Sequence, residues 1–394
     1  MSSSPATKRL RRLGAASFSA IAAAGAIAGG AFLGVADARA QGVIFRGMGA
    51  VNESMGGAGI ATSLDSAGAI YTNPAALSGL PQNEVSFGLS ALMPESSVES
   101  YATAAPALTR ARSESKQTYY APSFSVARHV DNWTFGCAVG AIGGASANYA
   151  PNGASPIPGV AKNPILGDYG KTSKVKIIEL MPTASYKFRD WLYVGVTGVV
   201  GCFSLQVDPM PFGLSTAAPL YRSRTDYTFG GGFNVGVLVS LDRFLRKSLH
   251  GFKTGLTFKS PVWAEPFRFS GGSGSPTGAY EETKFKFTLP LVVGWGLSYT
   301  PPVLKGDLIF ALDVRYIDYA NTDGFKPSAV IENGRVAGLG WDSILSVAVG
   351  VQYRLAEDVT FRAGYCWSEN PIPGDVQFAN VSAPLFVQHV ASVG

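Results

Sequence analysis

The chain has 394 residues, of which 46% are hydrophobic and only 15% charged, and its formal net charge is +5. Soluble domains carry about 25% charged residues, so the charged fraction is low. Five basic residues and one acidic residue lie in the first 40 positions, which leaves 27 basic against 26 acidic side chains in the remainder. That near-neutral remainder gives no reason to expect a nucleic-acid partner.

Residues 1–40 have the pattern of a secretory signal peptide. A basic start is followed by an apolar stretch rich in Ala and Gly, and Ala38-Arg39-Ala40 then supplies small residues at a signal-peptidase site. Gln41 is the predicted mature N-terminus. A membrane anchor is the alternative, because about twenty apolar residues can span a bilayer. The cleavage pattern favours removal.

The next stretch, from Gly47 to Leu80, is rich in Gly, Ala, Ser and Asn and carries only two charged residues, Glu53 and Asp65. Such a composition suits neither a solvated linker nor a strand, but it allows close packing inside another structure. We therefore predict that residues 41–82 form a compact plug.

From residue 83 onward, apolar residues alternate with small or polar ones in segments of strand type. Twelve segments are predicted: Glu84–Met93, Tyr119–Val130, Trp133–Tyr149, Lys174–Phe188, Trp191–Val207, Tyr227–Leu241, Gly251–Ser270, Tyr280–Thr300, Asp307–Tyr319, Trp341–Leu355, Val359–Trp367 and Leu385–Gly394. Turn-type connections such as Asp131-Asn132, Arg189-Asp190 and Ala356-Glu357-Asp358 alternate with long loops. Outer-membrane barrels have this alternation of short turns and long loops.

A soluble β-sandwich would also alternate, but two further features favour a transmembrane antiparallel β-barrel. Aromatic residues cluster at strand ends, as in an interfacial girdle. One predicted strand has an apolar face of eight residues, which is long enough to cross a membrane: Phe285, Phe287, Leu289, Leu291, Val293, Trp295, Leu297 and Tyr299. The predicted fold is therefore all-β, a barrel plugged at its N-terminus.

No motif for catalysis or for a cofactor is found. The sequence lacks a GxSxG nucleophile motif and a complete dinucleotide or phosphate-binding loop, and its three His are isolated, so we predict no enzyme, no cofactor and no metal site. Cys137, Cys202 and Cys366 are interpreted as buried or lipid-facing thiols, with one disulfide as the alternative.

Several charged residues have the parity of the lumen face. They are Lys253, Lys259, Lys284, Lys286, Asp313, Arg315, Arg354 and Arg362. They are either solvated or mutually paired residues of the wall, or some of them hold the carboxylate of an acidic lipid. The two interpretations are compatible.

Three stretches resemble a known family. The run MGGAGIATSLDSAGAIYTNPAAL, the run from Gly340 to Pro373 and the shorter Gly255–Pro261, GLTFKSP, are similar to FadL/TodX-type outer-membrane transporters of long-chain fatty acids and other hydrophobic compounds. The resemblance implies a fourteen-stranded barrel with an N-terminal hatch and passive uptake. It also implies a lateral exit where a kinked third strand meets Asn73-Pro74-Ala75. Implied partners are hydrophobic small molecules, outer-membrane lipid and the barrel-assembly machinery.

The resemblance also suggests functional residues. The suggested residues of the hatch and gate are Gly47, Met48, Gly49, Gly56, Gly57, Asn73, Pro74 and Ala75. The kink candidates in the third strand are Gly143 and Gly144, because adjacent glycines permit a bend. The alternative is that these two glycines only make the strand flexible. Candidates for binding a substrate carboxylate are Lys284, Lys286, Arg315 and Lys326.

Twelve predicted strands are two fewer than the family has, and the last residue, Gly394, is not aromatic. We therefore expect residues 83–394 to be a barrel truncated at its C-terminus. A general porin and a structural or adhesive outer-membrane protein are the alternative functions.

Overall fold

The computed structural model describes residues 41–100, 111–149, 162–163, 167–168, 171–208, 225–245, 247–270, 282–304, 306–326, 331–332, 335–336, 338–377, 380, 383 and 386–394. The signal peptide predicted for residues 1–40 lies outside the described residues.

Strands dominate the described part of the chain. The strands are β1 Glu84–Leu92, β2 Glu95–Ser100, β3 Ala111–Lys116, β4 Tyr119–Val130, β5 Trp133–Tyr149, β6 Lys162–Asn163, β7 Gly167–Asp168, β8 Lys171–Arg189, β9 Leu192–Asp208, β10 Asp226–Ser240, β11 Phe252–Lys259, β12 Trp263–Ala264, β13 Phe267–Ser270, β14 Glu282–Phe285, β15 Val292–Tyr299, β16 Leu308–Ile317, β17 Ile331–Glu332, β18 Arg335–Val336, β19 Ile344–Ala356, β20 Val359–Ser368 and β21 His389–Val393. The helices are α1 Ala50–Ser54, α2 Ser66–Thr72 and α3 Leu241–Phe244, with 3₁₀ turns at Pro74–Gly79, Lys247–Leu249, Pro302–Leu304 and Gly374–Val376. None of the helices in these ranges is long and apolar enough to cross a membrane.

Twelve of these strands form one continuous antiparallel sheet. Its order is β1-β4-β5-β8-β9-β10-β11-β15-β16-β19-β20-β21, and β12 adds to β10. Each of the twelve predicted segments contributes one strand to this path. The short turns also lie where predicted: Asp131 adopts a positive φ of 53° between β4 and β5, and Glu357-Asp358 connects β19 to β20.

The two faces of the sheet have inverted polarity. On β1, the side chains of Val85, Phe87 and Leu89 are 70%, 73% and 59% exposed on the outer face. The inner face buries small polar side chains, among them Ser125, Ser185 and Thr197, each 0% exposed. An apolar exterior around a polar interior is the arrangement of a barrel surrounded by lipid.

The prediction of one long strand from Lys284 to Tyr299 is wrong. β14 ends at Phe285 and β15 begins at Val292, and the residues between them turn into the lumen, where Phe287 and Leu289 are 5% and 2% exposed. Pro290 lies in this break and has no N–H for a ladder hydrogen bond. The apolar residues before Pro290 therefore fill the interior and do not face lipid.

The predicted segment Gly251–Ser270 is also broken. β11 ends at Lys259, Ser260-Pro261 follows, and β12 then pairs with Gly230 and Gly231 of β10. The backbone of Val262 meanwhile exchanges hydrogen bonds with Leu289, both 3.3 Å long. The two interruptions thus fold inward together and build one side of the interior.

The inverted polarity predicts how the outer face responds to charge. Leu256 is 59% exposed in the middle of β11. Leu256→Arg is expected to destabilise the protein by ~2–4 kcal/mol in a bilayer, because an exposed charge on the lipid face loses its hydration. Equilibrium unfolding from phospholipid vesicles measures this cost, with Leu256→Met as the matched control. Equal stability of the two variants would contradict a lipid-facing outer surface.

Candidate functional site

Residues 41–80, here called the lumenal segment, pack against the inner face of the sheet. Met48, Met55, Ile60, Ile70 and Leu77 are each at most 1% exposed. Their neighbours are wall strands rather than solvent, so the segment occupies the space that the sheet surrounds.

Local capping explains the helices of the lumenal segment. The Asp65 carboxylate caps α2 by accepting a hydrogen bond of 3.1 Å from Gly68 N. The Asn73 side chain caps the following 3₁₀ turn by accepting one of 3.0 Å from Ala75 N, and Pro74 occupies its first position. Pro is well suited to this position because the N–H it lacks would have no partner within the turn.

Gly56 and Gly57 form the tightest turn of the segment. Both have left-handed backbones, with φ of 69° and 84°. A Cβ atom added to Gly56 would lie 2.8 Å from the backbone nitrogen of Tyr365 in β20, and one added to Gly57 would lie 2.6 Å from the carbonyl oxygen of Arg46. Only glycine satisfies both the conformation and this close approach.

Two charged residues of β16 bind the backbone of this turn. The Asp313 carboxylate accepts hydrogen bonds from Gly59 N at 2.8 Å and Ile60 N at 3.1 Å. The Arg315 guanidinium donates to the carbonyl oxygens of Arg46 and Gly57, and it pairs with Asp313 at 3.0 Å. We call Asp313 and Arg315 the β16 latch, because they attach the lumenal segment to the wall.

Asn73-Pro74-Ala75 contacts a different part of the wall. The Asn73 amide donates to the carbonyl oxygens of Ile60 at 2.7 Å and of Val237 in β10 at 3.1 Å. Pro74 and Ala75 lie against Gly195 of β9, where an added Cβ would come within 2.4 Å of Pro74 C. The wall therefore provides glycines where the segment approaches most closely.

The third long strand, β5, is irregular at the predicted kink. Its register with β8 shifts between Ala141 and Gly143, as in a β-bulge, and Gly144 has a φ of 145°. The bulge pairs with residues 43–45, through hydrogen bonds from Phe45 N to Ile142 O at 2.8 Å and from Gly144 N to Val43 O at 3.1 Å. The contact of this kink with Asn73-Pro74-Ala75 that the resemblance implies stays a prediction.

The other predicted hatch residues, Gly47, Met48 and Gly49, directly precede α1. Asn52, in α1, organises the stretch from Gly47 to Gly49 by accepting a hydrogen bond of 3.3 Å from Met48 N. Glu53, also in α1, accepts a hydrogen bond of 2.9 Å from Ser90 of β1. Ser392 of β21 accepts a hydrogen bond of 2.9 Å from Gly56 N. In the described residues β1 and β21 are the edges of the sheet, so the segment contacts both edge strands.

The four carboxylate-binding candidates are not brought together. Arg315 belongs to the β16 latch. Lys286 and Lys326 both pair with Asp323, at 2.6 and 2.7 Å, and these hydrogen bonds hold the pKa of Asp323 below its usual value. Lys284 lies apart, exposed on β14.

A cavity of about 40 Å³ separates the lumenal segment from the wall. Since one water needs about 10–15 Å³ by this measure, it has room for about three water-sized groups. Its lining combines the segment with five wall elements and consists of Gln41, Ile44, Phe45, Tyr71, Thr72, Asn234, Thr257, Lys259, Leu289, Pro290, Val292, Arg315 and Ile317. This small space lies between the lumenal segment and the wall.

Aromatic residues of the connections form a cluster over the start of the lumenal segment. Tyr319, Phe325 and Trp341 are each at most 1% exposed, and the Tyr319 hydroxyl donates to Gln41 O at 2.7 Å. The sequence did not predict this cluster. Tyr319 and Trp341 were assigned to the ends of the predicted segments Asp307–Tyr319 and Trp341–Leu355, whereas β16 ends at Ile317 and β19 begins at Ile344.

Comparison with known proteins identifies the family. The sequence model of the family described as outer membrane protein transport protein (OMPP1/FadL/TodX) matches residues 32–394. The chain belongs to this family. It is thus an outer-membrane protein with the family's antiparallel β-barrel fold, related to transporters of hydrophobic compounds, and the prediction that it is not an enzyme is confirmed.

Solved structures of FadL/TodX-type proteins share the fold at low sequence identity. The Ralstonia pickettii toluene transporter TbuX is 17% identical, with a TM-score of 0.59 over 82% of this chain and 87% of that chain. The Pseudomonas putida toluene transporter TodX is 16% identical, with a TM-score of 0.58 over 91% and 89%. A Pseudomonas aeruginosa FadL homologue is 13% identical, with a TM-score of 0.58 over 84% and 82%. No curated protein matches this chain.

Asp65 makes the packing of the lumenal segment sensitive to pH. Burial raises the pKa of this carboxyl from 3.8 to about 7; the nearby Glu84 adds to the shift, and Gly68 N and Arg362 oppose it. A raised pKa means that the packed segment is most stable when Asp65 is protonated, and that stability is lost as pH rises from 3.8 towards about 7. Hydrogen-exchange protection of residues 41–80 is therefore expected to fall over that range.

Asp65→Asn should remove this dependence, because Asn caps a helix as well as Asp and cannot ionise. Protection factors corrected for intrinsic exchange rates provide the measurement. Glu357→Gln, at an exposed turn, is the control and should titrate like the natural protein. A pH profile unchanged in Asp65→Asn would exclude Asp65 as the origin.

The β16 latch predicts a second change in the lumenal segment. Asp313→Asn leaves Arg315 uncompensated in a buried position, which typically costs ~3–5 kcal/mol. We expect amide protection of residues 46–60 to drop while the strands stay protected, and leakage of polar dyes through reconstituted protein to rise. Asp358→Asn, in the exposed β19–β20 turn, is the matched control. Unchanged exchange in Asp313→Asn would show that the latch does not hold the segment.

Proposed function

We propose that this protein conducts hydrophobic small molecules passively across the outer membrane, with the lumenal segment acting as a hatch that moves to let them pass. The observation that carries the proposal is the packing of the lumenal segment against the inner face of the sheet, where Met48, Ile60 and Leu77 are each at most 1% exposed. Such a segment would obstruct the channel of a water-filled porin. A channel for apolar solutes, in contrast, works best when water is excluded.

Energetics favour a route that stays out of water. Each buried methylene of a solute is worth about 0.8 kcal/mol, so a long apolar molecule resists leaving an apolar surface for the aqueous phase. Leu289, Pro290 and Val292 give the cavity such a surface. With no nucleotide-binding motif in the sequence, we propose transport down a concentration gradient.

The proposed exit is the bulge of β5. Its ladder is already interrupted between Ala141 and Gly143, and residues 43–45 of the lumenal segment cover it from inside. Withdrawal of the segment would remove the hydrogen bonds from Phe45 N and to Val43 O and expose a gap towards lipid. A solute leaving sideways would enter the membrane directly.

The proposed substrates are apolar or weakly polar. TbuX and TodX are toluene transporters, and toluene is an apolar solute of the kind that Leu289, Pro290 and Val292 could contact. Long-chain fatty acids stay a predicted substrate only. Three of the four predicted carboxylate ligands are already engaged in ion pairs and so do not support them: Arg315, Lys286 and Lys326.

A disulfide lock tests whether transport needs the lumenal segment to move. The hydroxyls of Ser66 in α2 and Ser125 in β4 lie 2.8 Å apart, so Ser66→Cys with Ser125→Cys should form a bridge. The three native cysteines are free thiols and are replaced by Ser beforehand. Uptake of labelled toluene into proteoliposomes is expected to fall at least tenfold on oxidation and to recover on reduction. A fall of this size is expected because the bridge would keep nearly all protein molecules in the closed state.

The matched control links two wall strands and leaves the segment free. The hydroxyls of Thr183 in β8 and Thr197 in β9 are 2.7 Å apart, so the corresponding pair of cysteines should bridge without affecting uptake. Full uptake through the oxidised Ser66–Ser125 variant would contradict hatch movement. Toluene uptake equal to that of protein-free liposomes would contradict the transport function itself.

A further inference from the structure

A buried ion pair borders the cavity. Lys259 of β11 donates a hydrogen bond of 2.7 Å from Nζ to Oε2 of Glu179 in β8, and the two side chains are 15% and 0% exposed. Lys259 Nζ also lies 5.0 Å from the centroid of the Tyr71 ring. The pair thus joins two distant wall strands and touches the lumenal segment.

One atom of this pair is unsatisfied. Oε1 of Glu179 is buried and has no hydrogen-bond partner in the described part of the chain. A buried charged acceptor without a partner is costly, and native proteins usually satisfy it with water or a ligand. The cavity lining includes Lys259 but not Glu179, so the carboxylate acts on a bound molecule through Lys259, whose charge it neutralises.

The rest of the cavity suits the body of a small hydrophobic molecule. Leu289, Pro290, Val292 and Ile317 line it opposite the segment. Tyr71 adds an aromatic ring on the segment side. Polar side chains complete the lining: Gln41, Thr72, Asn234, Thr257 and Arg315. Both cations of the lining are already neutralised, Lys259 by Glu179 and Arg315 by Asp313.

We propose that Lys259 and Glu179 form a head-group subsite for an uncharged, hydroxylated hydrophobic molecule, such as a phenol or an alcohol, and select against carboxylates. A hydroxyl can accept a hydrogen bond from Lys259 without bringing a charge of its own. A carboxylate only accepts, and its charge would lie beside that of Glu179. This specificity rests on the proposed transport function.

Three probes of similar size but different head group test the proposal. Binding and proteoliposome uptake are measured at neutral pH with p-xylene, p-cresol and p-toluate. The natural protein is expected to bind p-cresol about tenfold more tightly than p-xylene, the effect of one hydrogen bond to a charged group. It should bind p-toluate more weakly than either.

Substitutions of the pair should change this order. Glu179→Gln removes the negative charge and leaves Lys259 available, so p-toluate is expected to gain at least tenfold. The neutral double variant Glu179→Gln with Lys259→Met should lose the preference for p-cresol over p-xylene and keep p-xylene uptake, which shows that it folds. Lys116→Met, at an exposed lysine of β3 that is absent from the cavity lining, is the control and should behave like the natural protein.

The outcomes separate the two claims. Protein-dependent p-xylene uptake without any preference for p-cresol would overturn the subsite and leave transport intact. Tight p-toluate binding to the natural protein would also overturn it. Absence of protein-dependent uptake for all three probes would instead overturn the proposed function.

Discussion

One charge pair on the wall satisfies four backbone groups of the lumenal segment. Asp313 accepts from Gly59 N and Ile60 N, and Arg315 donates to Arg46 O and Gly57 O. These groups lie where water is excluded, and unpaired buried amides would be costly. The turn at residues 56–60 can therefore stay irregular inside the barrel, held by β16 and, through Gly56 N and Ser392, by β21.

The glycines of the wall complete this arrangement. An added Cβ would lie 2.5 Å from Ile60 O at Gly255, 2.7 Å from Ile60 Cβ at Gly296 and 2.1 Å from Gly56 N at Gly364. Glycine weakens a strand, since it offers no side chain to pack. Here the backbone of the segment takes the place of those missing side chains, so wall and segment are complementary surfaces that depend on each other for close packing.

The strand pattern could be predicted from the sequence because period-two alternation is local. The predicted Tyr119–Val130 and Trp133–Tyr149 match β4 and β5 residue for residue. The stretch from Lys284 to Tyr299 could not be read in this way, because alternation continues through the break at Pro290 and parity alone does not distinguish lipid from lumen. Pro290 was the available signal.

The site was less predictable, because its members are distant in sequence. Glu179 alternates with Ile178 and Leu180 like any inward residue, and only the fold brings it to Lys259, which is 80 positions away. The pairing of the bulge was likewise not predicted: residues 43–45, which carry no motif, reach Gly143 and Gly144. Backbone pairing leaves no signature in residue type.

A short chain of contacts connects the cavity to the bulge. Tyr71 lies beside Lys259, its hydroxyl donates to Phe45 O at 2.6 Å, and Phe45 N donates to Ile142 O of β5 at 2.8 Å. Under the proposed transport function, a ligand that displaces Tyr71 would break its hydrogen bond to Phe45 and so loosen the residue that covers the bulge. A ligand shifts such an equilibrium only by its differential affinity for the two arrangements. On that proposal, a solute that binds only the arrangement with Tyr71 displaced couples occupancy of the cavity to uncovering of the wall.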